Sequence, residues 1–416
     1  MYCRKLAILA AAALALAACC PKQENGIRRA TPLSQGMSEK YLALIDSAVN
    51  ASIAAGDIPG AVVGVVRNGN LVYEKAFGYK SLVPEKDTMT VETMFDMASV
   101  SKCVGTTLSF MQLVEQGKVR LVDPVTRYFP DFQNWVDPET KEEVEITVQD
   151  LLTHTSGLAA YLPNVSAYIN EFGVNSPDSL MMYISTRIKR NFRPGTKQLY
   201  SCLNFITLQN ILEQVTGERL CDYAQKNVFD ALGLEHTTYF PLYGEEPCRP
   251  GLDELAELCA PTEEQEDGHV LKAEVHDPTA RLANAGNSGN AGVFSNVEDL
   301  AVVAAALLND GSYNGRRVLS PLTVKKMFTV PETNAYEVAR ALGWDTYYTG
   351  PYTSGDIFCV DDVRGHTGYT GTSMILDPET KTAVIVLAHR VHPKDEGSTG
   401  RLRSVIASIV AASIGR

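Results

Sequence analysis

Between Asp96 and Glu115 the sequence carries a single charged side chain, Lys102, in the run MASVSKCVGTTLSFMQLV. The spacing predicts a helix over residues 100–116, with Val100, Val104, Leu108 and Met111 on one stripe and Cys103, Thr107, Phe110 and Val114 on the next. A helix apolar on that much of its circumference must be enclosed by other elements, so the chain has to build several layers around it. Lys102 then lies in the first turn of a buried helix, with Ser99, three residues earlier, on the same face. Desolvation disfavours an ammonium and lowers a lysine pKa, so that neutral amine becomes available near pH 7. A serine hydroxyl needs such a base beside it to act as a nucleophile. The helix N-terminus adds backbone N–H groups and a positive dipole end, which suit an oxyanion formed from an attacked carbonyl.

Elements able to enclose that helix are legible on both sides of it. Residues 38–55 place Leu42, Ile45, Val49 and Ile53 at helical spacing behind an N-cap Ser38. The run AVVGVVRNGNLVYEKAFGY predicts two strands joined by a tight turn at Asn68-Gly69. Near the other end, TSMILDPETKTAVIVLAH repeats the pattern, with a turn opened by Asp377-Pro378 and a continuous apolar strand from Ala383 to Ala388. The segment RLRSVIASIVAASIG reads as an amphipathic helix capped by Gly415. Strands at both ends and a helical middle predict an α/β fold of the α+β type: one antiparallel sheet with flanking helices (about 37–98 and 300–416) plus a helical subdomain (about 99–299), the site lying in the cleft between them. Residues 241–268, with nine acidic side chains and a single Arg249, read as a solvated insertion, a loop or short helix, rather than a binding surface.

The 416-residue chain is 45% hydrophobic and 21% charged, which is ordinary for a soluble globular protein, and its net charge of -12 with scattered basic residues excludes a nucleic-acid surface. Its N-terminus has the layout of an export signal: Arg4 and Lys5, an apolar run from Leu6 to Ala18, then cysteine. LAAC, residues 16–19, resembles a bacterial lipobox. That predicts a signal peptide over 1–18, lipidation at Cys19, a polar tether over 19–36 and a folded domain over 37–416, held by a lipid anchor in a bacterial cell envelope. Of the nine cysteines, Cys103, Cys202, Cys221, Cys248, Cys259 and Cys359 fall in the folded part. Export permits disulfides, and Cys248 with Cys259, flanking one short insertion, are the expected pair.

Two further elements accompany the Ser-x-x-Lys of Ser99 and Lys102. PGTKQLYSCLNFITLQNILEQVTG places Tyr200 at the head of a helical run, and GHTGYTGTSMILDP places His366, Thr367 and Gly368 at the head of a predicted strand. In this order the three motifs resemble the serine β-lactamase and penicillin-recognising family. The segments GKVRLVDPVTRYFPDF, ITVQDLLTHTSGL, FRPGT, ALGLEHT and GVFSNVEDLA resemble its class C β-lactamase, esterase and D-amino-acid peptidase branch, over about residues 40–393. The resemblance implies acylation of Ser99 and a first base at Lys102. It gives Tyr200 the sharing of the proton with the lysine and its delivery to the leaving group. It also implies an oxyanion hole from the backbone N–H groups of Ser99 and Tyr369, a pocket lined by His366 and Thr367, and no cofactor or metal. Gly368 would let substrate lie close to the strand.

His154 reads as structural, and His276 and Asp277 as bracing a loop near the cleft. Three departures touch recognition. Cys202 stands where the branch usually carries the amide or carboxylate that bonds the lysine or the substrate, leaving Asn204 to take that task or the site to work without it. Asn290 stands in GNAG where relatives commonly read GHAG. His389 replaces an asparagine that helps recognise a substrate carboxylate. The expected function is a serine hydrolase acting through an acyl-enzyme on a peptide or ester, with D-alanyl peptides of peptidoglycan as candidate partners. The alternatives are a true β-lactamase and a non-turnover penicillin-binding or sensor protein.

Overall fold

The computed structural model describes residues 26–332, 340–346 and 353–415, so the expected leader and Cys19 lie outside the described residues. The chain's two ends meet in one sheet. Strands β1 (Arg28–Arg29), β2 (Gly60–Arg67), β3 (Asn70–Ser81), β4 (Asp87–Thr88), β5 (Arg364–Thr367), β6 (Ser373–Asp377) and β7 (Thr382–Ala388) run in the order β1-β3-β2-β7-β6-β5, with β4 on β3. All pairings are antiparallel except β1 with β3. Asn68 and Gly69 both take positive φ (50° and 73°), as a two-residue turn that follows the strand twist requires.

The central strands carry no charged residue from Gly60 to Val66 or from Ala383 to Ala388, because both faces of the sheet are covered. Ala61, Val63 and Val65 of β2 and Val384 and Val386 of β7 pack against α2 (Leu44–Ala54) and the C-terminal helix, through Ile45, Val49, Leu402, Ile406 and Val410. Val62, Val66, Ile385 and Leu387 face the larger core, which continues through Leu300 and Val303 into the helical region. Each fully buried Val, Ile or Leu side chain contributes about 2 kcal/mol. Gly64 marks the closest approach, since a Cβ there would stand 2.3 Å from Val297 Cγ1.

Three details differ from the expectations. The helix over 38–55 is broken at Ala43 into α1 (Glu39–Leu42) and α2, behind the Ser38 cap. The C-terminal helix Gly400–Ser413 ends at an extended Ile414, and Gly415 instead donates its N–H to Gly36 O at 2.7 Å, so Gly415 is a tie to the N-terminal segment and not a helix cap. Cys248 and Cys259 are not paired. The helix Leu252–Leu258 carries Cys259 into a cluster with Met94, Phe240 and Phe294, whereas Cys248 turns to Thr238 Oγ1 (3.3 Å) and the Tyr239 carbonyl (3.4 Å), beside Cys221.

Candidate active site

The nucleophile segment leaves the short strand Phe95–Asp96, which pairs with Val293–Ser295, and enters a 3-10 turn at Ala98–Val100. A π-helical turn, Lys102–Thr107, then precedes the α-helix Leu108–Glu115 where a regular helix was expected. The Thr107 hydroxyl bonds the Lys102 carbonyl at 2.7 Å, and Gly105 leaves no room for a Cβ beside Tyr239 Oη (2.5 Å). Single π turns of this kind occur frequently at functional sites. Ala98 is held at φ 44°, a left-handed conformation that costs a non-glycine residue about 1 kcal/mol. Its stabiliser is Asp96, 2% exposed, whose Oδ1 accepts the Ala98 N–H and whose Oδ2 accepts the His276 N–H, both at 2.7 Å. Burial pushes the Asp96 carboxyl above its usual range, against the pull of those two donors.

Half-buried Ser99 and the wholly enclosed Lys102 meet, with Nζ 3.0 Å from the serine Oγ. The other two ammonium protons have acceptors as well: the Asn290 carbonyl at 2.8 Å and Cys202 Sγ at 3.5 Å. The charge therefore lies in a complete shell. Burial disfavours the ammonium, whereas the acceptors around Nζ and the negative charge Cys202 and Tyr200 gain as they ionise favour it, and the net direction for Lys102 is upward. This corrects the expectation of a lysine neutralised by desolvation. Burial pushes Tyr200 up to about 12 and raises Cys202, each opposed by the Lys102 charge. At rest the lysine is protonated and the two acids keep their protons, so the basic form of the Lys102–Tyr200 pair is a minority state that grows with pH.

Tyr200 precedes the helix Cys202–Thr216, whose N-cap Ser201 accepts the Asn204 N–H at 3.4 Å. Its ring centre lies 4.9 Å from Lys102 Nζ and 5.6 Å from the Arg340 guanidinium, against the rings of His154 (4.4 Å) and His366 (5.8 Å). The hydroxyl is buried and makes no hydrogen bond among the described residues, with Lys102 and Ser99 the polar groups acting on it. His154 Nδ1 accepts the Ser201 N–H at 3.0 Å, fixing the loop that presents the tyrosine. Burial, with the nearby Arg340 and Lys102 charges, holds both His154 and His366 well below the ordinary imidazole range, hence neutral.

The third motif is placed differently from its expected use. His366 is 3% exposed, with Nδ1 2.8 Å from the Thr367 carbonyl, so it packs beneath Tyr200 and does not line the cleft. Gly368 serves the approach of its own strand to the nucleophile turn, because a Cβ there would stand 2.5 Å from Met97 O and 3.3 Å from Ala98 Cβ. Thr367 ends β5 opposite Ser373, half-buried and outside the cleft lining. The following turn is pinned from behind by Arg403, whose Nη2 bonds the carbonyls of Gly368 and Thr372, both at 2.8 Å. Ser99 opens a helix at its free N–H end, and the Tyr369 N–H has no acceptor among the described residues, so both donors are available for an oxyanion.

Asn204 is turned away from the lysine: Oδ1 accepts the Ser156 hydroxyl at 2.6 Å and Nδ2 meets His154 Nδ1 at 3.2 Å, which leaves the place beside Lys102 to Cys202. His389 follows the end of the central strand β7, 1% exposed, stacked on His392 (5.5 Å) and edge-on to Phe95 (5.8 Å), too deep to meet a substrate carboxylate.

A cleft of about 480 Å³ opens over Ser99, walled by Ala98, Tyr161, Leu162, Cys202, Asp277 and Tyr369. Glu263 and Gln265 of the acidic insertion also line it, correcting the expectation that this insertion is a solvated bystander. The rim is tied by side chains from distant segments. Tyr369 stacks on His276 (5.7 Å), lies under the Arg390 guanidinium (4.4 Å) and bonds Asp395, while His276 pairs with Glu263 at 3.1 Å. Asp96, Arg340 and Arg403 were missed as site builders. Only Asp96 carried a signal, as the charge that opens the otherwise neutral segment. Among the described residues no group of three or more His, Cys, Asp or Glu side chains is disposed to hold a metal.

Residues 45–408 match the protein-family profile described as Beta-lactamase. The chain is similar to an N-acetylmuramyl-L-alanine amidase of Bacillus subtilis (strain 168), 31% identical over 414 residues with 90% of each chain covered. It is also 29% identical over 381 residues to a Salmonella agona (strain SL483) protein named as a D-alanyl-D-alanine carboxypeptidase, covering 87% of this chain and 86% of that one. Among solved structures it resembles EstCE1, a hydrolase with promiscuous acyltransferase activity (TM-score 0.67, 23% identity, 89% of this chain and 99% of that one). The octameric penicillin-binding protein homologue from Pyrococcus abyssi has the same fold (TM-score 0.65, 21% identity, 90% and 78%).

Proposed function

The chain belongs to the beta-lactamase family of serine hydrolases, and from that premise we propose an envelope-anchored enzyme that cleaves an amide or ester of a peptidoglycan peptide through an acyl-enzyme on Ser99. The observation that carries the reading is the 3.0 Å contact between Lys102 Nζ and Ser99 Oγ at the floor of an open cleft. The peptidoglycan assignment draws on the names of the amidase and carboxypeptidase relatives, and the anchoring on the LAAC motif ending at Cys19.

In the proposed reaction the substrate carbonyl lies between the Ser99 and Tyr369 N–H groups. Ser99 Oγ attacks its carbon while the serine proton passes to the Lys102–Tyr200 pair, already short of one proton in its basic form. Charge developing on the carbonyl oxygen is held by the two backbone donors. Collapse of the tetrahedral species breaks the bond to the leaving group, which takes the proton back from Tyr200. A water then repeats the sequence against the acyl-enzyme, releasing the acid and restoring the Ser99 hydroxyl. Cys202 changes recognition more than chemistry, because a thiol gives a substrate amide neither the donor nor the acceptor strength of an asparagine. On this ground both β-lactam turnover and strict carboxypeptidase action stand behind other amide and ester reactions.

The test is a panel assayed with wild type and Ser99→Ala: a muramyl-peptide amide, a D-Ala-D-Ala peptide, p-nitrophenyl esters and nitrocefin. Ser99-dependent turnover of a peptidoglycan amide or an ester is expected. Nitrocefin as the best substrate would make the protein a β-lactamase, and a stable acyl adduct without release would make it a sensor.

A further inference from the structure

Arg340 is buried with unusual exposure to electrostatic cost. It is 2% exposed, its Nη1 meets Asp345 Oδ1 at 3.0 Å, and its Nε and Nη2 have no acceptor among the described residues. A guanidinium left partly unsatisfied in a protein interior is strongly unfavourable unless something nearby answers its charge. Beyond the Asp345 carboxylate, the described residues around it offer little: His154 and His366 are neutral, Cys103 keeps its proton because burial pushes the thiol up, and Lys102 carries the same sign. The group placed between the two cations that can become negative is Tyr200, whose ring centre lies 5.6 Å from the Arg340 guanidinium and 4.9 Å from Lys102 Nζ. Around the tyrosine the remaining titratable neighbours are Ser99 and Cys202.

Arg340 is also locked to the nucleophile segment. The turn that follows it returns to Asp345 through an Arg340–Asp345 bridge, and Asp345 continues to Gly365 next to the third motif. Within that turn the Gly343 carbonyl accepts the Cys103 thiol at 3.2 Å, and a Cβ on Gly343 would stand 2.1 Å from Thr107 Oγ1. Leu342 and Gly343 donate their N–H groups to Met327 and Leu152. The π turn bearing Lys102 and the arginine facing Tyr200 are thus wedged against each other.

We propose that Arg340 is a positioning residue for acylation: its guanidinium, lying over the Tyr200 ring, holds the tyrosine in register with Lys102 and stabilises the phenolate state through which the Ser99 proton is taken. The proposal rests on the serine-hydrolase reading of Ser99, Lys102 and Tyr200 and adds a residue that no motif contains. A cation over an aromatic face is attracted by the ring, and more strongly once that ring carries the negative charge. The guanidinium therefore opposes the burial that keeps Tyr200 protonated.

The experiment reads Ser99 labelling by a fluorophosphonate across pH in wild type, Arg340→Lys and Arg340→Met, each again in a Tyr200→Phe background, with thermal melting recorded for all. The expected result is labelling about tenfold slower at pH 7 in Arg340→Met, the rise of rate displaced to higher pH, and near-wild-type behaviour in Arg340→Lys. In the Tyr200→Phe background, Arg340→Met should cost nothing further. Should the methionine variant not fold, Arg340→Gln, which keeps a donor for Asp345 without the charge, must show the same displaced profile. An unshifted profile in whichever neutral variant folds, or an equal loss in the Tyr200→Phe background, overturns the proposal. Wild type that takes no label overturns the hydrolase reading itself, a different outcome from labelled wild type with an unshifted variant.

Discussion

On the floor of the cleft, Lys102 gives its three ammonium protons to Ser99, Cys202 and the Asn290 carbonyl, and all but the half-buried Ser99 are enclosed. At the rim, Tyr369 is 56% exposed and is held by Arg390, Asp395 and His276, the last paired with Glu263. The floor joins one helical turn, Ser99 to Lys102, to Cys202 and Asn290 from two remote segments, under low-dielectric conditions in which each contact is strong. The rim joins two stretches, residues 263–276 and 369–395, in contact with water, where an ion pair contributes about 0–1 kcal/mol. Reaction type therefore belongs to the floor and substrate choice to the rim, and changes to the two should differ in kind as well as in size.

The largest separation is expected from Lys102→Ala. It should lower Ser99 acylation by at least about a thousandfold with the fold retained, as removal of a general base beside a nucleophile does; stopped-flow labelling with a fluorophosphonate measures it. A loss under tenfold would show that the floor does not depend on the lysine. Next is Arg403→Met, which strips two buried charge-assisted bonds from the Gly368 and Thr372 carbonyls. Stability should fall by about 3 kcal/mol, read by urea denaturation, with acylation slowed because the Tyr369 N–H is no longer fixed.

His389 offers a pH test of the buried end of β7. Its pKa is driven down to about 3 by burial and by His392, against 6.5 in the unfolded chain, so below pH 6.5 the unfolded state binds a proton that the native state refuses. Its contribution is complete above pH 6.5 and is lost as pH falls toward 3, amounting to about 3 kcal/mol at pH 4. Denaturation curves between pH 7 and 4 should show that loss in wild type and a flatter slope in His389→Gln; equal slopes would place His389 elsewhere in the account. The smallest effect is expected at the rim. Asp395→Asn should raise KM about threefold and leave kcat unchanged, and a kcat loss like that of Lys102→Ala would erase the distinction between rim and floor.

The legible parts of the molecule were those whose physics is local. The apolar runs of β2 and β7 announce strands covered on both faces, and Asn68-Gly69 announces the turn between β2 and β3. Ser99 and Lys102 announce a pair within one turn. What escaped depends on approach in three dimensions. Asn204 sits one helical turn from Tyr200 and was a natural partner for Lys102, but Ser156 and His154 claim it from another loop. His366 follows its motif and yet lies beneath the tyrosine, because β5 presents it to the interior. The lysine's protonation was misjudged for the same reason: burial is readable from a hydrophobic stripe, whereas the groups that offset it, Tyr200 and Cys202 at the head of a helix about 100 residues on and the Asn290 carbonyl, come from remote segments. Arg340 and Arg403 have no motif at all, only positions.

The central claim is that Ser99 becomes acylated because the Lys102–Tyr200 pair takes its proton. Intact-mass spectrometry after incubation with a fluorophosphonate, followed by peptide mapping across pH 6–9, tests it most directly. One adduct, confined to the peptide bearing Ser99, forming faster as pH rises and absent from Ser99→Ala, is the predicted result. An adduct on another residue, or a Ser99 adduct whose rate is indifferent to pH and to Lys102→Ala, would contradict it.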